Sequence, residues 1–227
     1  MRAVLFDAGN TLLHLDYPWL AAEARRLRRD FAPAPGDLGR AAARVGRTGW
    51  PTRDGAGRAI PFFQGYFGAI AAQVGLGSEQ AVSFAAAARE ENLTDPRGLW
   101  RLCAPGAAAT LASLAAKGLL IGVVSNADGR VESQLAAAGL RDNLLVVVDS
   151  HLTGVEKPDP RIFHLALEQL GVNAQDALFV GDLFDVDILG ARTAGLHALL
   201  YDPWDAFADL SRGRIRSLAQ LLDVISP

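Results

Sequence analysis

The sequence predicts an α/β protein with a doubly wound parallel sheet that is interrupted, after its first strand, by an all-helical segment. Two patterns lead to this prediction. Short apolar runs of the kind found in buried strands alternate with helix-like segments along the second half of the chain. The residues after the first apolar run, in contrast, have the periodicity of consecutive helices joined by Pro/Gly-rich stretches.

Five apolar runs are predicted as the parallel strands, because each is short, aliphatic and followed by a polar or Gly-containing turn. They cover residues 3–6, 119–125, 144–148, 177–180 and 197–201. A helix is predicted before each of the last four strands, and each helix is followed by a glycine where a helix C-cap belongs. These helices cover residues 107–117, 130–138, 160–170 and 188–194, and the glycines are Gly118, Gly139, Gly171 and Gly195.

Residues 16–102 are predicted as a helical cap domain inserted into an α/β core formed by residues 1–15 and 103–227. Four segments of the insert have helical periodicity, at residues 19–31, 36–48, 62–74 and 79–92. An insert that follows the carboxyl end of a strand starts at the edge of the sheet where such folds bind ligands. We therefore expect the insert to cover a ligand site.

Composition excludes several classes of partner. The net charge of -3 and the mixed signs along the chain give no basic stripe for nucleic acid. A single cysteine, Cys103, allows no intramolecular disulfide, and no secretory signal is recognised, so a cytoplasmic location is expected. No apolar stretch approaches the roughly 20 residues that span a bilayer, so no membrane partner is expected. We expect a monomer or a homodimer.

Carboxylates follow two of the predicted strands. Asp7 comes directly after the first strand, in a Gly-containing turn with Thr11 four residues later. Asp182, Asp185 and Asp187 follow the fourth strand within six residues. A lone aspartate at a strand end is often a turn residue. Three carboxylates so close together are costly without a cation, however, so this edge of the sheet is predicted to bind one.

Polar groups suited to an anion occupy two further positions. Ser125 and Asn126 end the second strand, where a hydroxyl and an amide can bind an anionic oxygen or cap a helix. Lys157 is one of only two lysines in a chain that otherwise uses arginine, and Pro158 stiffens its backbone. This choice indicates a required compact ammonium charge, although a solvated loop lysine is the alternative.

Together, and in this order, the four features resemble the four sequence motifs of the haloacid dehalogenase-like (HAD) superfamily, which has a Rossmann-like core. The resemblance covers residues 1–15 and about 105–202. The helical insert resembles the superfamily's helical cap of the first type. Residues 156–163 and 187–191 are similar to the capped subfamily that includes haloacid dehalogenase-like hydrolase domain-containing protein 3 and its bacterial relatives.

The resemblance implies a hydrolase that requires Mg²⁺ and acts as a phosphatase on a small phosphorylated metabolite. Asp7 would be the nucleophile and would form an aspartyl-phosphate that water hydrolyses. The side chains of Asp7 and Asp182 and the backbone carbonyl of Gly9 would bind Mg²⁺. Asp185 matches no position of the motifs and is predicted as a solvated loop residue.

The same resemblance implies roles for the remaining motif residues. Ser125, Asn126 and Lys157 would bind the phosphate, and Lys157 would balance charge in the transition state. Asp187 would orient Lys157 or a metal-bound water, and Thr11 would support the loop after the nucleophile. These residues complete the candidate active site.

Gly9 departs from the phosphatase pattern, which has a second aspartate at this position as general acid for the leaving oxygen. The metal contact survives, because it uses the backbone carbonyl. Loss of the acid costs roughly 10²–10⁴-fold in rate. Three explanations remain open: substrates with good leaving groups such as acyl or aryl phosphates, replacement of the acid by His14 or a cap side chain, or a reaction other than phosphomonoester hydrolysis.

Three alternative functions fit part of this pattern. Superfamily members without the second aspartate include 2-haloacid dehalogenases, which use no Mg²⁺, so Asp182 argues against that reaction. Phosphonoacetaldehyde hydrolases need a cap lysine, and residues 16–102 contain none. A non-catalytic or regulatory binding protein on a HAD scaffold is a different class. The joint presence of Asp7, Lys157 and Asp182 argues against it.

Overall fold

The structure, a computed structural model, describes residues 1–225, so the last two residues of the predicted core lie outside the described part. Its strands are β1 (Ala3–Phe6), β2 (Leu13–Leu15), β3 (Trp100–Cys103), β4 (Leu120–Ser125), β5 (Val146–Asp149), β6 (Ala177–Gly181), β7 (His197–Tyr201) and β8 (Arg214–Ile215). Six of them form a parallel sheet in the order β5-β4-β1-β6-β7-β8, and β2 and β3 form a separate pair.

The helices are α1 (Tyr17–Leu27), α2 (Pro35–Thr48), α3 (Phe62–Gln73), α4 (Ser78–Thr94), α5 (Ala107–Ala116), α6 (Val131–Ala137), α7 (Ser150–Thr153), α8 (Pro160–Leu170), α9 (Leu189–Thr193) and α10 (Leu221–Val224). A π-helical turn, Phe184–Ile188, immediately precedes α9. None of the helices within residues 1–225 is both long and apolar enough to cross a membrane.

Both faces of the six-stranded sheet are covered by helices. Neighbouring residues of β1 belong to different apolar clusters, because successive side chains of a strand point to opposite faces. Val4 and Phe6 pack in one cluster with side chains of α5 and α6. Ala3 and Leu5 pack in the other with side chains of α8 and α9. The predicted doubly wound α/β fold is thereby confirmed.

The chain divides into two units, Met1–His14 with Trp100–Pro227 and Leu15–Leu99. The second unit contains α1 to α4 and has its own core, in which the largest fully buried side chains include Phe67 and Phe84. Strand β3, most of which the sequence prediction placed in the insert, lies in the first unit.

Candidate active site

Three adjacent strands carry the predicted site residues at their carboxyl ends. β1 lies between β4 and β6 in the sheet, with all three strands parallel. Asp7 follows β1, Ser125 ends β4 and Asp182 follows β6. The backbone N–H of Asp7 donates to the carbonyl of Val180, 2.8 Å away, which extends the sheet to the site. The topology therefore gathers side chains that lie far apart in the sequence, at the edge where parallel sheets bind ligands.

Lys157 joins two of the carboxylates. Its Nζ lies 2.5 Å from Asp7 Oδ1 and 2.7 Å from Asp187 Oδ1, and the residue is 4% exposed. The ammonium also lies 5.3 Å from the centre of the Phe179 ring. Burial opposes the charge on Lys157, but the carboxylates of Asp187 and Asp7 outweigh it and raise the pKa of the lysine. Lys157 is therefore a fixed positive charge beside Asp7.

Asn126 holds the backbone of Lys157. Lys157 N–H donates to Asn126 Oδ1 at 2.7 Å, and Asn126 Nδ2 donates to the Lys157 carbonyl at 2.9 Å. The sequence did not indicate this use of the amide; a contact between Asn126 and phosphate stays a prediction. The neighbouring Ser125 is buried, and its Oγ donates to Asp7 Oδ1 at 3.3 Å.

Three carboxylates cluster at this edge of the sheet. Oxygen atoms of Asp7, Asp182 and Asp187 all lie within 4.8 Å of one another. Burial raises the pKa of Asp7 to about 6; the charge of Lys157 lowers it, and that of Asp187 raises it further. Burial, followed by the charges of Asp187 and Asp7, raises the pKa of Asp182. The cluster therefore carries repulsion that the single ammonium of Lys157 leaves partly uncompensated.

The donor set fits a hard divalent cation. Carboxylate oxygens are the ligands that Mg²⁺ prefers, and the positive charge of the ion would offset the repulsion. Asp187 is already engaged, since Oδ1 pairs with Lys157 and Oδ2 accepts from Leu183 N–H at 2.9 Å. Asp7 and Asp182 are thus the carboxylates best placed to hold an ion, with Asp187 as their support.

Gly181 allows Asp187 to approach the end of β6. A Cβ added at Gly181 would lie 2.5 Å from both Cγ and Oδ2 of Asp187, a separation that real Cβ atoms essentially never show. Only a glycine lets this carboxylate reach Lys157 without displacement.

Trp100 stands beside Gly9, two residues after Asp7. A Cβ added at Gly9 would lie 3.3 Å from both Cδ1 and Nε1 of the Trp100 indole. Trp100 was not predicted as a site residue, because no local sequence pattern links it to the loop after β1. The available signal was a glycine where the resemblance expects an aspartate, since a bulky residue elsewhere can fill the space left by a missing side chain.

The remaining predicted residues are placed as follows. Thr11 is fully buried, and its Oγ1 has no hydrogen-bond partner within residues 1–225. His14 lies on β2, is 7% exposed, and its ring centre is 6.2 Å from that of Tyr201. Burial lowers the pKa of His14 to about 4, so its imidazole is neutral at pH 7 and unsuited to act as an acid there. Asp185 is exposed.

Comparisons with known proteins show which family the chain resembles. A family model described as haloacid dehalogenase-like hydrolase matches residues 1–195. The chain is 32% identical, over 88% of its length and 81% of the relative's, to haloacid dehalogenase-like hydrolase domain-containing protein 3 of Bos taurus. It is 36% identical to the phosphoserine phosphatase of Thermus thermophilus, over 50% of this chain and 49% of that protein.

A solved structure resembles the whole chain. The 2-haloacid dehalogenase of Pseudomonas syringae pv. Tomato is 26% identical, covers 99% of this chain and 98% of its own, and superposes with a TM-score of 0.58. The match of the family model over most of the chain, together with the bovine relative, decides the classification. The protein belongs to the haloacid dehalogenase-like hydrolase family.

Proposed function

We propose that the protein is a Mg²⁺-dependent phosphatase that acts through an aspartyl-phosphate on a small phosphorylated metabolite in the cytoplasm. The observation that carries this proposal is the contact between Lys157 and Asp7 inside a cluster of three carboxylates. The cluster suits a divalent cation, and a cation with an adjacent ammonium suits a phosphoryl group. The phosphatase name of the Thermus relative adds support.

Asp7 acts as the nucleophile in this proposal. A carboxylate oxygen of Asp7 forms a bond to phosphorus while the bond from phosphorus to the leaving oxygen breaks, and its electron pair stays on that oxygen. Water then attacks phosphorus, which releases phosphate and restores the Asp7 carboxylate. With a pKa of about 6, Asp7 is ionised for this role at pH 7 and above.

The neighbouring side chains orient Asp7 and balance charge. Lys157 and Ser125 both contact Oδ1 of Asp7, which fixes the direction of the carboxylate. Lys157 also offsets the negative charge that meets at phosphorus. Mg²⁺ held by Asp7, Asp182 and the Gly9 carbonyl would neutralise the phosphoryl oxygens. Thr11 supports the loop after β1, and Asn126 contributes a phosphate contact.

The leaving oxygen receives no proton from residue 9, because Gly9 has no side chain. His14 does not replace the acid, since its pKa of about 4 keeps it neutral at pH 7. The substrates that fit such a site are acyl or aryl phosphates, whose leaving groups tolerate negative charge. We further propose that residues 16–102 form the cap domain, which selects the substrate.

Dehalogenation is the second candidate, and it rests on the structural similarity to the Pseudomonas 2-haloacid dehalogenase. There, too, a carboxylate would be the nucleophile, attacking carbon and releasing halide. The clustering of Asp182 with Asp7 favours the phosphatase, because an added carboxylate beside the nucleophile repels a carboxylate-bearing substrate unless a cation is bound. Release of halide from a 2-haloacid in the presence of a chelator would favour the second candidate.

The decisive assay compares p-nitrophenyl phosphate, acetyl phosphate and a set of alkyl phosphates, each with Mg²⁺ and with chelator. We expect turnover that requires Mg²⁺, favours the good leaving groups and disappears in Asp7→Asn. Asp185→Asn is the matched control, since Asp185 is an exposed carboxylate. Absence of turnover despite Mg²⁺ binding would instead indicate a binding or regulatory protein.

A further inference from the structure

The backbone does not require a glycine at position 9. Its φ lies outside the left-handed range, so an L side chain is conformationally allowed there. The three atoms nearest to an added Cβ all belong to the Trp100 indole, with Cδ1 and Nε1 at 3.3 Å and Cε2 at 3.9 Å. A side chain at position 9 would therefore meet the indole and not backbone strain, and the ring would have to shift by a few tenths of an ångström to admit a Cβ.

The indole is held in place by the first unit itself. Trp100 packs, partly buried, against the apolar cluster that contains Ala8 and Leu12 of the loop after β1. At the far end of β3, the N–H of Ala104 donates to the carbonyl of Leu12 at 2.9 Å. The loop that presents Asp7 and the strand that presents Trp100 are thus joined by both packing and a hydrogen bond.

We propose that Trp100 is a specificity-determining residue, which occupies the place of a side chain at position 9 and meets the leaving group of the substrate. This proposal rests on the proposed phosphatase function. An indole N–H donates a hydrogen bond but transfers no proton near neutral pH. The bond from phosphorus to the leaving oxygen therefore breaks with the electron pair on an unprotonated oxygen.

Two kinds of leaving group benefit from this arrangement. Acyl and aryl oxygens carry the negative charge without a proton, and the indole N–H can stabilise them by one hydrogen bond. An aryl ring gains in addition from contact with the indole, because aromatic pairs attract one another beyond simple burial. An alkyl oxygen can accept the same hydrogen bond but leaves poorly without a proton, and an alkyl group gains no ring contact, so the indole favours aryl over alkyl phosphates.

The test combines Gly9→Asp, Trp100→Ala and the double variant, with Gly9→Ala as a steric control and Trp100→Phe to separate the ring from its N–H. The first readout is the unfolding temperature, which needs no catalysis. Gly9→Asp should lower it in the wild-type background and lower it clearly less in Trp100→Ala, where the space is open. Gly9→Ala should show the same trend with a smaller amplitude.

The second readout is the ratio of kcat/KM for p-nitrophenyl phosphate to that for glycerol phosphate. Trp100→Ala should lower this ratio about tenfold. The double variant should hydrolyse glycerol phosphate at least tenfold faster than Trp100→Ala does, because the new carboxyl can protonate the alkyl oxygen. Trp100→Phe keeps an aromatic ring but lacks the indole N–H, so it should retain the part of the preference for p-nitrophenyl phosphate that comes from the ring contact.

Each failure has a separate meaning. If Gly9→Asp destabilises the protein equally in both backgrounds, Trp100 does not occupy that space and the proposal is overturned. If the temperatures show the coupling but the ratio is unchanged in Trp100→Ala, the specificity role is overturned while the proposed function stands. If neither wild type nor any variant hydrolyses a phosphate ester, the proposed function falls and the specificity role falls with it.

Discussion

Asn126 and Lys157 are joined by two hydrogen bonds, from Lys157 N–H to Asn126 Oδ1 at 2.7 Å and from Asn126 Nδ2 to the Lys157 carbonyl at 2.9 Å. The amide thus pairs with both backbone groups of the residue whose side chain contacts Asp7. Asn126, the residue directly after β4, thus fixes the backbone from which the Lys157 ammonium projects.

Asn126→Ala should therefore lower kcat about 10–100-fold with a smaller change in KM, because Lys157 loses its backbone support rather than its charge. Steady-state kinetics on p-nitrophenyl phosphate measure both constants. Asn173→Ala is the matched control, because Asn173 is exposed and its side chain makes no helix-capping hydrogen bond. A rise in KM with unchanged kcat would mean that Asn126 contributes only its proposed phosphate contact and that its hydrogen bonds to Lys157 do not affect turnover.

Lys157→Arg should be almost as inactive as Lys157→Met, with a loss of about 100-fold or more in kcat/KM. Lys157 Nζ lies 2.5 Å and 2.7 Å from the two carboxylates that flank it and is almost fully buried. A planar guanidinium needs more room than this ammonium has. Lys117→Arg, at the exposed second lysine, should keep wild-type activity. Substantial activity of Lys157→Arg would contradict this geometry.

Gly181→Ala should destabilise the protein by about 1–3 kcal/mol and reduce turnover, because the added Cβ would collide with the Asp187 carboxyl group. Asp187 would then move away from Lys157, to which it is ion-paired. Urea unfolding gives the change in stability. Gly68→Ala is the control, since a Cβ added at that position of α3 would meet nothing within 4 Å apart from its chain neighbours and the helix's own backbone. Equal stability of the two variants would refute the steric argument.

The sequence predicted the core of the fold because its strands are almost continuous apolar runs. The first and last residues of the strands were harder to predict. Residues 144–148 were predicted as a strand, whereas β5 covers Val146–Asp149. Leu144 is nevertheless buried in the core, so its apolar character reflects packing after a 3-10 turn rather than strand pairing. Strands β2 and β8 escaped prediction because three and two residues are too few to show a period. Strand β3 escaped because its four residues include Arg101 and form no buried apolar run.

The part of the site that lies at strand ends was predictable from the sequence. Asp7, Ser125 and Asp182 could be placed together from the sequence, because the carboxyl ends of neighbouring parallel strands meet at one edge. Contacts between distant segments carry no such signal. The positions of Trp100 beside Gly9, and of the Asn126 amide on the backbone of Lys157, emerge only when the chain is folded.

Asp182→Asn should raise the unfolding temperature of the metal-free protein by a few degrees at pH 8, since it removes one of three clustered carboxylates. In a protein of this length, a change of about 1 kcal/mol in the free energy of unfolding shifts the unfolding temperature by about 2–4 °C. Because the pKa of Asp182 is raised in the folded state, the folded protein binds more protons than the unfolded chain, so the gain should shrink on acidification.

Magnesium gives the second half of that experiment. Mg²⁺ should raise the unfolding temperature of the wild type, because a ligand that binds only the folded state stabilises it, and the rise should be lost in Asp182→Asn. Asp185→Asn, which alters an exposed carboxylate, should respond to Mg²⁺ as the wild type does. An undiminished Mg²⁺ response in Asp182→Asn would remove Asp182 from the proposed metal site.

His14→Gln should flatten the pH dependence of stability in acid. Burial lowers the pKa of His14 from 6.5 to about 4 in the folded protein, so between these values the unfolded chain takes up a proton that the folded protein does not. Wild-type stability therefore falls as pH decreases from 6.5 towards 4, by up to about 3 kcal/mol at about 1.4 kcal/mol per pKa unit. Unfolding free energies from urea titrations at pH 7 and pH 4.5 measure this loss. His14→Gln should reduce it. The control His197→Gln, which changes an exposed histidine, should show the same loss as the wild type. The same loss in all three proteins would mean that carboxylates alone cause the acid sensitivity.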